Sequence, residues 1–148
     1  MLVEKNLSIS VCESCTGGML GAAITAIPGS SRYFAGGVIA YSDAVKTKVI
    51  GVKRSTLERY GAVSAQTARE MARGVKSKLK TDVGVAITGI AGPGGGTAKK
   101  PVGLVYVAVT HGKKTRVDRF MFAGGRQRVR RFSVEKTLDV IKKTLCVR

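Results

Sequence analysis

The chain reads as an α/β fold: a mixed sheet with helices on both faces and a β-hairpin late in the sequence. Three observations predict this. Short strand-like runs alternate with helix-like stretches through residues 7–88, the pattern of parallel strands joined by crossover helices. Two strand-like runs then follow each other across a short turn, as an antiparallel hairpin requires. Neither an internal repeat nor a linker divides the 148 residues, so 1–148 is read as one domain, and hydrophobic residues at 44% supply its core.

Taken in order, Leu7-Ser8-Ile9-Ser10-Val11-Cys12 alternates apolar and polar side chains, as a strand does. Thr16-Gly17-Gly18 opens an alanine-rich apolar run from Met19 to Ile27, a buried helix ended by Pro28. Gly29-Ser30-Ser31 is a turn. Tyr33 to Tyr41 reads as a strand in which Gly36-Gly37 marks a bulge or a close backbone approach. Asp43 is placed as the cap of a helix that runs to Ile50 and stops at Gly51. Ser55 starts a short helix to Tyr60, closed by Gly61. Ser64 caps a helix over 65–80, whose Ala68, Met71, Ala72, Val75 and Leu79 recur at helical spacing. Val83–Thr88 is a short apolar run suited to the centre of a sheet, and Gly89–Gly96 is a glycine-rich loop. Val102–Thr110 and Thr115–Phe122 form the hairpin through His111-Gly112-Lys113. A helix over 126–147 closes the chain, with Val129, Phe132, Val134, Leu138, Ile141 and Leu145 mostly on one side.

The net charge is +17, and residues 113–148 carry twelve Lys or Arg against Asp118, Glu135 and Asp139. Such a balance favours anionic partners: phosphates, nucleotides or nucleic acid. Four Phe and four Tyr form no stacking stripe, so RNA-type base stacking is not favoured. No uninterrupted apolar stretch approaches the roughly 18 residues of a membrane span, and residues 1–10 lack the apolar stretch of a secretory leader. Three cysteines suit a reducing compartment, so a cytoplasmic location is expected. Cys12 and Cys15 have C-x-x-C spacing, but with His111 the sole histidine a four-ligand zinc site is hard to assemble.

The candidate chemistry begins at Ser14, which follows a strand and precedes a helix start. There the N–H groups of Cys15, Thr16, Gly17 and Gly18 stand as donors for an oxyanion or a phosphate. Spacing alone also fits a plain cap, with Ser14 or Thr16 as the N-cap residue. A nucleophilic serine needs a base. His111 sits in the hairpin turn, so the alternative is a lysine made partly neutral by its surroundings, and Lys46 and Lys48 follow the strand ending at Tyr41. Thr88-Gly89-Ile90-Ala91-Gly92-Pro93-Gly94-Gly95-Gly96 offers a backbone wall for a substrate, or a flexible loop. Arg126 and Arg130 lie one turn apart if 126 begins a helix, an arrangement suited to phosphate.

Several long strings, in order, carry a family resemblance: Glu13-Ser14-Cys15-Thr16-Gly17-Gly18, Gly37-Val38-Ile39-Ala40-Tyr41-Ser42-Asp43-Ala44-Val45-Lys46, Tyr60-Gly61-Ala62-Val63-Ser64, Thr88-Gly89-Ile90-Ala91-Gly92-Pro93 and Lys100-Pro101-Val102-Gly103. Together they resemble the C-terminal domain of competence/damage-inducible protein CinA, whose stand-alone relatives are nicotinamide-nucleotide amidohydrolases. The resemblance implies a three-layer α/β/α fold, often a homo-oligomer. It also implies hydrolysis of nicotinamide mononucleotide to nicotinic acid mononucleotide and ammonia without metal or cofactor. It places the catalytic pair on Ser14 and Lys46, with Tyr41 beside them, and substrate contacts on Thr88, Gly89, Arg126 and Arg130. The rival reading is a non-catalytic nucleotide- or nucleic-acid-binding domain of the same fold.

Overall fold

The computed structural model describes residues 1–146 and contains one five-stranded mixed sheet. Its elements are β1 (Ile9–Glu13), α1 (Met19–Thr25), β2 (Phe34–Ile39), α2 (Asp43–Val45) continued by a π-helical turn (Lys46–Ile50), α3 (Arg54–Tyr60), α4 (Ala65–Leu79), β3 (Val83–Gly89), β4 (Leu104–His111), β5 (Lys114–Met121) and α5 (Arg126–Cys146). The spatial order is β2-β1-β3-β4-β5, parallel among β2, β1 and β3 and antiparallel from β3 to β5. The alternation of strand and helix thus gave the parallel half, and the late hairpin the antiparallel half.

Side-chain alternation sorts the two faces by size. Val11, Val83, Val85, Ile87, Val105, Val107 and Val109 point to one side, where Leu20 and Ile24 of α1 and Val129, Val134 and Ile141 of α5 cover them. Cys12, Ala86 and Ala108 point to the other, under Ala68, Met71, Ala72 and Val75 of α4. Small residues on that face let α4 lie close. A Cβ on Gly84 would stand 2.2 Å from the Ala72 carbonyl oxygen and 2.6 Å from Lys76 Cβ. The two apolar layers make this a three-layer α/β/α arrangement. Among the described residues no helix is long and apolar enough to cross a membrane.

Several boundaries move, each for a local reason. The first strand runs to Glu13 rather than Cys12, because β1 is paired on both sides and Glu13 stands in register with Ile39 and Ile87. The first helix stops at Thr25, two residues before the expected Ile27. Neither Ser14 nor Thr16 caps it: the N-cap is Gly18 in the left-handed region, with φ of 101°. In β2 both glycine readings hold. The register shifts opposite Ile9/Ser10, and a Cβ on Gly37 would stand 2.5 Å from Val11 Cγ2. Ser42, not Asp43, caps α2, its hydroxyl accepting from Val45 N–H at 3.3 Å. The hairpin turn is two residues, Gly112-Lys113, because His111 already pairs with Lys114. Ser64 caps α4 as expected, accepting from Thr67 N–H at 3.2 Å. The closing helix ends at Cys146, and residue 147 of its expected range lies outside the described residues.

Candidate active site

The parallel strands β1 and β3 end side by side at Glu13 and Gly89, and the chain leaving each one builds a cavity of about 270 Å³. Ser14, Cys15, Tyr41, Asp43, Lys46, Thr88, Gly89 and Arg126 all line it. Strand ends of an open α/β sheet are where such crevices form, because the connections diverge there.

Ser14 extends the ladder by one bond, its N–H donating to the Ile87 carbonyl at 3.0 Å, which fixes the backbone under its side chain. It is 8% exposed, and among the described residues its hydroxyl has no hydrogen-bond partner. The loop after it is held from two directions. From one side the Glu13 carboxylate accepts N–H groups of Gly18, Leu20 and Gly21 at 3.1, 3.0 and 2.9 Å. From the other side the Arg130 guanidinium donates to the carbonyls of Cys15 at 3.1 Å and Thr16 at 3.0 Å. A trans peptide points its carbonyl and N–H in opposite directions, so Arg130 turns the Thr16 N–H away from itself.

These contacts redistribute the expected donors. Gly17 N–H bonds the Ser14 carbonyl and Gly18 N–H bonds Glu13, so both are already used. Thr16 is fully buried, and its hydroxyl has no partner among the described residues. Thr16, Gly17 and Gly18 do not line the cavity; Cys15 does, and its N–H makes no backbone hydrogen bond among the described residues. Helix α1 therefore has no vacant anion site at its start, because Glu13 fills it. Glu13 is the residue that sequence reasoning missed. An acid at the end of an apolar strand, just before the glycine-rich helix entry, was its signal.

The π-helical turn separates the two candidate lysines. Lys46 is 1% exposed and lines the cavity, whereas Lys48 is exposed. Lys46 Nζ donates to the Tyr41 carbonyl at 2.9 Å and lies 3.7 Å from Asp43 Oδ1. Burial holds its pKa below the usual lysine value, and Asp43 offsets only part of that. Thr88 donates its hydroxyl proton to the Ala62 carbonyl at 2.8 Å, which leaves its lone pairs to accept. Gly89 is small because β4 lies against it: a Cβ there would meet Val105 Cγ2 at 2.7 Å.

The two arginines part company. Arg126 reaches the cavity mouth, donating to the Gly92 carbonyl at 2.8 Å and the Tyr41 hydroxyl at 3.2 Å. Arg130 is committed to the loop carbonyls and to Gln127 Oε1. Cys12 and Cys15 lie in the cores on opposite faces of the sheet, so the C-x-x-C spacing is not a paired site. Burial pushes their thiols up to about 12 and about 11, leaving both protonated at neutral pH. His111 stands at the far end of β4.

Fold and site together define an α/β protein that gathers a free serine hydroxyl and a buried lysine at the ends of parallel strands. The model of the CinA C-terminal domain matches residues 1–145, and the chain belongs to that family. It is 49% identical over 143 residues to a putative competence-damage inducible protein of Acetivibrio thermocellus, covering 97% of this chain and 35% of the relative. It is 51% identical over 150 residues to a CinA-like protein of Thermosynechococcus vestitus, covering 99% and 36%. The chain thus spans about a third of the length of these relatives. Among solved structures, competence damage-inducible protein A of Klebsiella pneumoniae superimposes with a TM-score of 0.94 at 33% identity, covering 97% of this chain and 89% of that one. A competence/damage inducible protein of Agrobacterium tumefaciens gives 0.93 at 38% identity, covering 96% and 87%.

Proposed function

We propose that the chain hydrolyses the carboxamide of nicotinamide mononucleotide, giving nicotinic acid mononucleotide and ammonia by a serine–lysine mechanism. The observation that carries this reading is the buried Lys46, its pKa lowered, lining one cavity with the unpartnered Ser14 hydroxyl. Substrate identity comes from the family resemblance, supported by the cation at the cavity mouth.

In the proposed reaction neutral Lys46 leaves the Tyr41 carbonyl and takes the Ser14 proton as Ser14 Oγ attacks the carboxamide carbon. The oxyanion meets the Cys15 N–H, a kind of contact worth roughly 2.7–4 kcal/mol where single donors have been removed. Thr88, its proton already donated, accepts from the carboxamide N–H. The lysine returns its proton to the nitrogen, and ammonia leaves. Water, deprotonated by Lys46, then attacks the acyl-serine; the serine oxygen takes the proton back and the acid departs. Arg126 binds the 5′-phosphate.

Ammonia release tests this with nicotinamide mononucleotide beside nicotinamide riboside and nicotinamide. Wild-type protein is expected to prefer the phosphorylated substrate. Ser14→Ala and Lys46→Ala should each lose at least a thousandfold in kcat while keeping their far-ultraviolet dichroism. Full activity in either variant overturns the pair. The kcat should rise with pH through the lowered Lys46 value and level off below pH 10.5, since the neutral amine is the active form.

A further inference from the structure

We propose a second anion site, separate from the cavity and fitted to the phosphates of duplex nucleic acid. It is a groove of about 470 Å³ between α4 and the β4–β5 hairpin, lined by Arg73, Lys76, Ser77, Thr110, Gly112 and Lys113. Thr110 pairs with Gly84 and Thr88 with Tyr106, so the groove lies four residues back along β3 from the cavity, about 13 Å towards the opposite end of the sheet.

Its cations are positioned rather than merely exposed. Arg73 Nε donates to Thr115 Oγ1 at 3.0 Å, and Thr115 Oγ1 shares a 3.0 Å hydrogen bond with Thr110 Oγ1. That bond fixes the guanidinium while its two Nη groups stay free, the geometry that suits a phosphate's oxygens. The stem of Lys76 is seated over Gly84, the residue without a side chain that lets α4 approach the sheet. Gly112, with φ of 58°, turns the hairpin so that Lys113 joins the groove. Among the described residues Arg73, Lys76 and Lys113 form no ion pair. Asp82, the acid whose charge meets Lys76, is bound through Oδ2 to the Ser8 N–H and hydroxyl.

The polar groups of the lining are hydrogen-bond donors and hydroxyls, and no aromatic side chain is among them, so no ring is present to stack a base. A ligand recognised there through phosphate oxygens alone keeps its bases elsewhere, as a duplex does, and is bound without regard to sequence. The net charge of +17 supplies the long-range attraction.

Anisotropy titration of a fluorescent 20-base-pair duplex across 50–300 mM salt tests the assignment. Three phosphate contacts predict that the triple variant Arg73→Gln, Lys76→Gln, Lys113→Gln loses more than tenfold in affinity at the lowest salt. Its log–log salt slope should shrink by about 2.7. The charge-matched control Lys136→Gln, Lys142→Gln, Lys143→Gln on α5 should keep most of the affinity. Equal losses in both variants, or no binding by the wild type, overturn the site. Displacement of the duplex by a free nucleotide at constant ionic strength assigns the groove to a small anion and also overturns it. Amide hydrolysis by the groove variant should match the wild type, so this outcome is independent of the reading of the cavity.

Discussion

Helices α1 and α5 begin at the same end of the sheet, and both point a helix start towards the cavity region. At α1 the chain supplies its own anion: Glu13 takes three N–H groups, and the loop it anchors carries Ser14. At α5 the first turn contains no acid and brings Arg126 to the cavity mouth instead. The same electrostatics therefore serves two ends. Where the protein fills the helix start itself, the result is a loop held in place; where it leaves cationic groups there, the result is the feature on which the proposed phosphate contact rests. Arg130 belongs with the first case despite sitting on α5, since its donors go to the loop carbonyls.

Three substitutions test the contrast, in descending size. Glu13→Ala should do most damage, because three N–H groups lose one acceptor in a buried setting; a loss of about 3 kcal/mol or more in urea unfolding is expected. Amide exchange at Gly18, Leu20 and Gly21 should accelerate with it, and unchanged exchange there would break the distinction. Next, Arg130→Ala should lower kcat by about tenfold to a hundredfold, to the same degree for nicotinamide mononucleotide and for its riboside. A rise in KM confined to the phosphorylated substrate would move Arg130 to the recognition side. Smallest in stability is Arg126→Ala, within about 0.5 kcal/mol of wild type. Its expected signature is a KM raised about tenfold for the mononucleotide and nearly unaltered for the riboside.

Much of this architecture was legible in the residues. Alternation in 7–12, the Ser64 cap and the apolar run at 83–88 all depend on near neighbours in sequence, and each element formed there. What escaped depends on unusual local backbone turns or on distant chain segments. Glu13 finds its partners only because Gly17 and Gly18, at φ of 56° and 101°, turn the loop back over it. Arg126 and Arg130 have the same helical spacing in the sequence, and only the placement of α5 beside two different loops separates them. Spacing alone left Lys46 and Lys48 equal, and only the family resemblance singled out Lys46, because a π-helical turn follows no propensity read residue by residue, although such turns recur at functional positions.

Lys46 has one further consequence, for the pH profile of folding. Its pKa is lowered in the folded protein, so the unfolded chain holds that proton more tightly. Between the lowered value and 10.5 the unfolded state binds more protons at this residue, and its contribution to stability rises with pH across that window, then levels off. Below the lowered value the fold carries the full penalty of withdrawing a charged ammonium from water. Lys46→Met, similar in length and without the charge, should raise the urea midpoint at pH 7 and flatten that rise, while ending amide hydrolysis. In the proposed reaction one side chain thus sets reactivity against thermodynamic stability, and the most stable version of this molecule is expected to be an inactive one.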